Sequence, residues 1–241
     1  MVLNIIGIGL GDEKDITLKG LELVKKSNFV YLESYTSRLN CDIAALEKLY
    51  GKKIILADRD MVENKSEIVD NAKEKEVSFL VIGDVFGATT HVDIMERAKE
   101  CGIKVNIVHN SSILTAVGET GLELYKFGKT TSIPFENSNV VSPVKVFNDN
   151  QKMGLHTLFL LDLDPLNDKF MTVNDAISYL VKNKVKDLLG VACCAIGSSK
   201  QVIKSGKLSS LAKLKFDVYP QCLIIPGNLH FKEEEVLESF R

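Results

Sequence analysis

The sequence lacks the features by which composition alone would place a protein in a specialised class. Its formal net charge is only −2, so nothing in it indicates non-specific binding to nucleic acid. The longest uninterrupted apolar runs are too short to span a bilayer. Met1 leads into a strand-like stretch and not into a basic segment followed by an apolar one, so we expect no signal peptide. We therefore expect a cytoplasmic protein with no membrane partner and no direct nucleic-acid partner.

Paired cysteine motifs are also missing. The chain has 5 cysteines, an odd number, and no Cys-x-x-Cys, which disfavours a disulfide framework or a zinc site. Cys193 and Cys194 are adjacent in a strand-like run, so their side chains point to opposite faces and do not easily share a metal. We expect buried, reduced thiols and no metal site.

Apolar residues, by contrast, are frequent enough to build packed cores: 45% of the 241 residues are hydrophobic. Up to Val108, strand-like runs alternate with helical patterns, which is typical of a parallel sheet with helices on both faces. A polar loop then separates this part from a second set of strands and helices. We predict an α/β protein with two α/β domains, 1–112 and 113–241.

The individual elements follow from hydrophobic periodicity. Strands are predicted at 2–8, 28–32, 53–56, 77–82, 104–108, 130–133, 156–163, 188–196 and 221–225. Helices are predicted at 15–26, 41–50, 66–75, 92–101, 144–152, 172–181 and 231–240. Asp15 is the predicted N-cap of the first helix.

The stretch from Gly83 to His91 links a predicted buried strand to a predicted helix. In an open α/β sheet, such a turn is where ligands bind. Gly83 and Gly87 allow close backbone approach or positive φ, and Asp84 places an acceptor-only carboxylate between them. The alternative is a tight turn in which Thr89 or Thr90 caps the helix.

A second polar loop, 109–112, follows the fifth predicted strand. Because the carboxyl ends of parallel strands meet at one edge of a sheet, we expect this loop to lie beside Gly83 to His91. Ser112 is also suited to cap a following helix. A residue at this edge of the sheet can both cap a helix and lie beside a ligand.

A glycine-rich loop with Gly7, Gly9 and Gly11 follows the first predicted strand, and Glu33 lies at a distance suited to binding a ribose hydroxyl. These residues match the pattern of a dinucleotide-binding site only in part. The third glycine of G-x-G-x-x-G falls on Asp12, so the pattern fails at the residue that permits close helix packing.

The sequence GDVFGATTH at Gly83 to His91 resembles the GDPxxATTH loop of the diphthine synthases, a branch of the tetrapyrrole methylase superfamily. Further stretches resemble the same family in the same order: Ile6 to Thr17, Tyr35 to Ser37, His109 to Ile113, Ala116 to Gly118, Leu124 to Gly128, Gly154 to Thr157, Met171 to Asn174 and Pro226 to His230. The resemblance covers nearly the whole chain. It implies two α/β domains of the tetrapyrrole methylase type with the cofactor in a cleft between them.

The resemblance also implies an activity and a set of site residues. The chain would be an S-adenosylmethionine-dependent methyltransferase that forms a homodimer and methylates the 3-amino-3-carboxypropyl-histidine of translation elongation factor 2. It names no catalytic residue. The implied cofactor contacts are Leu10, Asp84, Gly87, Ser112, Ile113, Leu161, Ile196 and His230. Taken alone, Leu161 and Ile196 read as core strand residues, and His230 as a general base, a hydrogen-bond donor or a helix cap.

Two positions depart from the family pattern. Val85 stands where the family usually has proline, and Ala195 where it usually has arginine. The loop at Val85 is expected to be looser, because proline fixes φ. The loss of a multidentate cation at Ala195 is expected to alter contacts to an acidic acceptor.

Alternatives stay open at this stage. Archaeal-type members of the family stop at the trimethylated amine, whereas eukaryotic-type members also esterify the carboxylate, and this chain mixes motifs of both types. Other readings are a tetrapyrrole-methylase-type enzyme with a small-molecule acceptor, a dinucleotide-dependent oxidoreductase, and a protein that binds the elongation factor without catalysis.

Overall fold

The computed structural model describes residues 1–87 and 91–241. It divides into two compact units, Met1–Leu114 and Thr115–Arg241, close to the division expected after residue 112. The two threonines proposed as helix caps, Thr89 and Thr90, lie outside the described residues. Within the described ranges, no helix is both long enough and apolar enough to cross a membrane.

The first unit is a five-stranded parallel sheet in the order β3-β2-β4-β1-β5. Its elements are β1 (Val2–Gly7), α1 (Leu18–Lys26), β2 (Phe29–Glu33), α2 (Ile43–Tyr50), β3 (Ile55–Ala57), α3 (Arg59–Glu63), α4 (Glu67–Glu74), β4 (Glu76–Val81), α5 (Val92–Glu100) and β5 (Lys104–Val108). A short helix, α6 (Ile113–Ala116), follows β5.

Alternate residues of this sheet enter two separate hydrophobic clusters. Phe79 of β4 belongs to one cluster together with residues of α4 and α5. The next residue, Leu80, belongs to the other, together with residues of α1 and α2. Because successive side chains of a strand point to opposite faces, helices cover both faces of the sheet. The predicted parallel sheet with helices on both sides is therefore confirmed.

The second unit is built on a mixed five-stranded sheet in the order β11-β10-β12-β7-β6, in which only β6 and β7 run parallel among the described strands. Its elements are β6 (Thr131–Ile133), α7 (Ser142–Lys152), β7 (Thr157–Leu161), β8 (Leu163–Asp164), β9 (Lys169–Phe170), α8 (Val173–Lys182), β10 (Leu189–Cys194), β11 (Val202–Lys207), α9 (Leu208–Leu211), β12 (Gln221–Ile225) and α10 (Phe231–Glu238). One face of the sheet packs against α7, α8 and α9 through a single cluster that includes Phe147, Phe159 and Leu180.

The structure corrects several local predictions. The first helix begins at Leu18, and its N-cap is Thr17, whose hydroxyl accepts a hydrogen bond from the backbone N–H of Gly20. Asp15 does not cap it, because its carboxylate accepts hydrogen bonds from the preceding loop. The helices α3 and α9 and the strand β11 were not predicted.

The cysteines are mostly placed as expected. Cys193, Cys194 and Cys222 are buried, and all five thiols are free. Cys194 lies in the core cluster that packs against the helices, whereas Cys193 does not, as expected for neighbours on a strand. The prediction of burial is wrong for Cys101, which is exposed, and Cys41 is only half-buried.

Candidate active site

The first sheet reverses its winding between two neighbouring strands. From β1 the chain passes through α1 to β2 on one side, and from β4 it passes to β5 on the other. The helices α1 and α5 accordingly lie in different hydrophobic clusters, on opposite faces. In open α/β sheets, ligands bind beyond the carboxyl ends of the strands at such a reversal. The turns after β1 and β4 therefore occupy the position that this fold favours for a ligand.

These two turns are joined to each other through glycine backbone. The N–H of Gly83 donates to the carbonyl of Gly9 over 2.7 Å, and the N–H of Gly9 donates back over 3.2 Å. Both residues are in the left-handed region, with φ of +85° for Gly83 and +82° for Gly9, which glycine adopts without strain. A methyl group in place of the Gly83 α-hydrogen would lie 3.6 Å from Cδ2 of Leu10, so Leu10 lies beside this junction.

Asp15 fixes the loop that carries Leu10. Its Oδ2 accepts hydrogen bonds from the backbone N–H of Gly11 (2.7 Å) and of Leu10 (3.2 Å). These are the donors that draw Asp15 away from the helix terminus. The glycine-rich loop is therefore held by a carboxylate of its own chain.

Asp84 joins the turn after β4 to the loop after β5. Its Oδ1 accepts from the N–H of Phe86 (3.1 Å), and its Oδ2 accepts from the N–H of Asn110 and contacts Nδ1 of His109, both at 2.9 Å. Burial would raise the pKa of Asp84, but these donors outweigh it and hold the pKa below its ordinary value. Asp84 is therefore an ionised carboxylate that connects the turn after β4 to the loop after β5. These two loops were expected to lie side by side at one edge of the sheet.

Asn110 extends this connection to the glycine-rich loop. Its Nδ2 donates to the carbonyls of Gly7 (3.0 Å) and Asp15 (2.9 Å). The three loops that follow β1, β4 and β5 are thus tied together by side chains from two of them. This side chain was not among the predicted site residues, and only its place in a polar loop pointed to it.

Gly87 and Ser112 are packed directly against each other. A methyl group on Gly87 would lie 2.3 Å from Oγ and 2.7 Å from Cβ of Ser112, far inside contact distance. Gly87 does not have a positive φ, so its need for glycine is steric and comes from Ser112. The Ser112 hydroxyl accepts from the N–H of Leu114 over 3.2 Å, which is the predicted cap of the short helix that begins at Ile113.

The predicted site residues of the first unit therefore lie together at one sheet edge: Leu10, Asp84, Gly87, Ser112 and Ile113. In the second unit, Leu161 ends β7, and Ile196 follows β10; both strand ends lie beside the beginning of β12. His230 lies beyond the opposite end of β12. The structure thus brings Leu161 and Ile196 to one end of the second sheet and places His230 at the other.

His230 is the N-cap of α10. Its Nδ1 accepts from the N–H of Lys232 (3.4 Å), while its own N–H donates to Oε2 of Glu233 (2.7 Å). This is the helix-cap role considered for it above. The imidazole and the carboxylate thus satisfy donors at both sides of the helix start.

Glu33, the residue suited by spacing to a ribose hydroxyl, is buried in the first unit. Its carboxylate accepts from the N–H of Thr36 (3.0 Å) and from the N–H of Ile82 (3.3 Å), so it fastens the ends of β2 and β4 to each other. Burial raises its pKa. A side chain engaged in this way does not support a dinucleotide site.

The two departures from the family motifs lie in well-packed surroundings. Val85 is fully buried in the cluster beneath α4 and α5, so apolar packing anchors the turn at this position. Ala195 is buried with φ of +47°, and its N–H donates to the carbonyl of Pro220 over 2.7 Å.

Residues 2–212 of the chain match the family model of the Tetrapyrrole (Corrin/Porphyrin) Methylases. The chain belongs to the tetrapyrrole methylase family. A diphthine methyl ester synthase of Dictyostelium discoideum is 44% identical over 269 residues, which span 100% of this chain and 98% of that relative. A diphthine synthase of Methanococcus aeolicus is 42% identical over 249 residues, spanning 98% of this chain and 97% of that relative.

Solved structures agree with this membership. A crystal structure of a diphthine synthase superposes with a TM-score of 0.94 at 37% identity and covers 100% of this chain and 96% of that one. The predicted resemblance to the diphthine synthase branch of the tetrapyrrole methylases is therefore confirmed, as are the fold and the assignment as a methyltransferase.

Proposed function

We propose that this chain transfers methyl groups from S-adenosylmethionine to the 3-amino-3-carboxypropyl-histidine of translation elongation factor 2. The names of the similar proteins, diphthine synthase and diphthine methyl ester synthase, support this acceptor. The observation that carries the proposal is the loop cluster at the sheet reversal of the first unit, where Asp84 binds the loop after β5. A cytoplasmic location follows as part of the same proposal.

The residues present fit S-adenosylmethionine, a ligand with apolar, hydroxyl and amino groups. Leu10 and Ile113 are half-buried apolar side chains at the cluster, suited to contact an adenine or a thioether chain. Asp84 accepts three hydrogen bonds from the described residues. A carboxylate offers about four acceptor sites, so these three bonds leave room for a hydroxyl or an amine. The backbone at Gly83 permits close approach, because a methyl group there would lie no nearer than 3.6 Å to Leu10 and 3.7 Å to the carbonyl of Ser111.

When bound, S-adenosylmethionine supplies an electrophilic methyl group on a sulfonium sulfur that keeps the electron pair of the broken S–C bond. The chain itself has to hold the donor and the acceptor at attack distance, which is the main source of acceleration in such a displacement. The tied loops after β1, β4 and β5 provide a pre-organised surface for this purpose. Leu161, Ile196 and His230 complete the set of proposed cofactor contacts.

The direct test combines binding with transfer. In the presence of a chelator, calorimetry should show binding of S-adenosylmethionine and S-adenosylhomocysteine, since among the described residues no cluster suited to a metal ion is present. Incubation with labelled S-adenosylmethionine and unmethylated elongation factor 2 should label the factor. Mass spectrometry of the modified histidine then counts the methyl groups and shows whether the carboxylate is esterified. Absence of binding to both compounds would refute the proposal.

We also propose that the protein is a homodimer, as the family resemblance implies and as is commonest among oligomers. Light scattering at micromolar concentration should return about twice the chain mass of 26.7 kDa. A mass equal to that of one chain would contradict the dimer and leave the methyltransferase assignment untouched.

A further inference from the structure

The methyl acceptor in the proposed reaction is an amine, and an ammonium ion has no lone pair with which to attack. A proton therefore has to leave the nitrogen before each N–C bond forms. General bases in proteins must lie within hydrogen-bond reach of that proton and be held in the right protonation state. Of the proposed cofactor contacts, Asp84 is engaged with the loop after β5 and His230 caps α10, which leaves other side chains of the loop cluster as candidates for the base.

His109 has the geometry of such a base. Its Nδ1 lies 2.9 Å from Oδ2 of Asp84, while its side chain is 69% exposed. Asp84 is held ionised by the backbone donors described above, and an ionised carboxylate only accepts hydrogen bonds. The proton of the neutral ring is therefore on Nδ1, and Nε2 carries a lone pair directed away from Asp84.

The ring is also held in place. Asp84 contacts its Nδ1 edge, and the ring of Phe86 packs edge-on, with 6.1 Å between ring centroids. Among the described residues, Asp84 is the charged side chain in contact with His109. A carboxylate at this position stabilises the imidazolium that forms when Nε2 gains a proton, as in other His–carboxylate pairs.

From this arrangement we infer that His109 is the general base of the reaction and that Asp84 positions it. In this step the N–H bond of the acceptor ammonium breaks, a new N–H bond forms at Nε2 of His109, and the exposed imidazolium returns the proton to solvent. The freed nitrogen lone pair then forms the N–C bond with the methyl carbon, while the S–C bond breaks and its electron pair stays on sulfur. The inference rests on the proposed function. It gives Asp84 a role in orienting His109 besides its proposed contact with the cofactor.

The variant His109→Asn tests the inference, because the asparagine amide retains a donor towards Asp84 but offers no basic nitrogen. In single turnovers at saturating cofactor, we expect the first N-methyl transfer at pH 7 to slow by about 100-fold, within the usual range for a lost general base. The deficit should shrink as pH rises, since the acceptor amine then loses its proton to water unaided. Added imidazole should partly restore the smaller variant His109→Ala. The matched control is Lys104→Ala, which alters an exposed side chain at the opposite end of β5 and should keep the wild-type rate.

Two readouts do not depend on turnover. Calorimetry should give His109→Asn the wild-type affinity for S-adenosylmethionine within about twofold. Nitrogen-15 NMR of the free protein should place the neutral-ring proton of His109 on Nδ1, and Asp84→Asn should shift that tautomer. A proton on Nε2, an unchanged transfer rate with an unchanged pH profile, or a defect confined to cofactor affinity would each overturn the inference.

An internal control is available if the wild-type product carries a methyl ester. A carboxylate oxygen has no proton to lose, so the ester-forming step should be spared in His109→Asn. Equal slowing of both steps would overturn the inference. If the wild-type protein transfers no methyl group, both the proposed function and this inference are refuted. If the wild type is active and His109→Asn transfers methyl groups at the wild-type rate, only the role of His109 as the base is refuted.

Discussion

His156 and Glu233 share a fully buried hydrogen bond in the second unit, with Nε2 of His156 lying 2.9 Å from Oε1 of Glu233. The other ring nitrogen of His156 accepts from the N–H of Gly227 over 2.9 Å, so the proton of the neutral ring is on Nε2. Glu233 also accepts from the N–H of Glu123 and of His230 and from the ammonium of Lys126. This carboxylate therefore joins α10 to the segment before β6 and to the turn before β7.

The first prediction is that this network makes the second unit acid-sensitive. Burial would raise the pKa of Glu233, but its four donors outweigh burial and lower the pKa to about 2, while burial lowers the pKa of His156. Both folded values lie below the unfolded ones, so the unfolded chain binds more protons in acid. The contribution of this network to the free energy of unfolding should be fully present near pH 7 and should decline as pH drops below about 6.5. The contribution of Glu233, on the order of 3 kcal/mol, should be lost between about pH 5 and pH 2.

Urea unfolding at pH 7, 5.5 and 4 measures this dependence. Glu233→Gln should be less stable at pH 7 by about 3 kcal/mol or more, because it leaves buried donors unpaired, and its stability should vary less with pH between 5.5 and 4. The exposed neighbour Glu234 offers a matched control, and Glu234→Gln should retain the wild-type profile. Equal pH profiles for wild type and Glu233→Gln would show that the network does not govern acid stability.

The second prediction separates two roles at the start of the first helix. Thr17→Ala removes the N-cap and should lower the free energy of unfolding by about 1 kcal/mol without changing cofactor affinity. Asp15→Ala removes the acceptor that holds Leu10 and Gly11, and we expect about tenfold weaker binding of S-adenosylmethionine, equivalent to about 1.4 kcal/mol. Calorimetry and urea unfolding on both variants distinguish the two roles. Weaker binding in Thr17→Ala, or unchanged binding in Asp15→Ala, would contradict the assignment.

This pair of residues also shows how far the sequence alone reaches. Thr17 and Asp15 are both good N-cap types, and local spacing does not choose between them. The choice is made by the loop after β1, whose N–H groups attract the Asp15 carboxylate. The buried strand β12 was predicted with its observed bounds, because a continuous apolar run is a local signal.

Elements whose stability depends on distant partners were predicted less well. The strand β11, an edge strand in which Ile203 and Ser205 are the buried residues, contains lysine, serine and glycine and has no continuous apolar run. It forms because β10 pairs with it. The same holds for the site: the loops after β4 and β5 were expected to meet, but the hydrogen bonds from His109 and Asn110 to Asp84 become visible only in three dimensions.

The last prediction concerns Gly87, which the sequence suggested as a position of close approach to the cofactor. In the structure its missing side chain makes room for Ser112. Gly87→Ala should therefore destabilise the first unit by about 1–3 kcal/mol through overpacking. Ser112→Gly removes both clashing atoms. The double variant Gly87→Ala with Ser112→Gly should therefore lose less free energy of unfolding than the sum of the two single losses, by at least about 1 kcal/mol.

Cofactor affinity in that double variant decides whether Gly87 belongs to the binding site. If its backbone contacts S-adenosylmethionine as proposed, the added methyl group still intrudes after the clash with Ser112 is gone, and binding should be at least tenfold weaker, or about 1.4 kcal/mol, than in Ser112→Gly alone. The single variant Ser112→Gly is the reference, because it also lacks the hydroxyl that accepts from Leu114. Calorimetry that finds equal affinity in a folded double variant would remove Gly87 from the cofactor site and leave packing against Ser112 as the whole reason for glycine at this position.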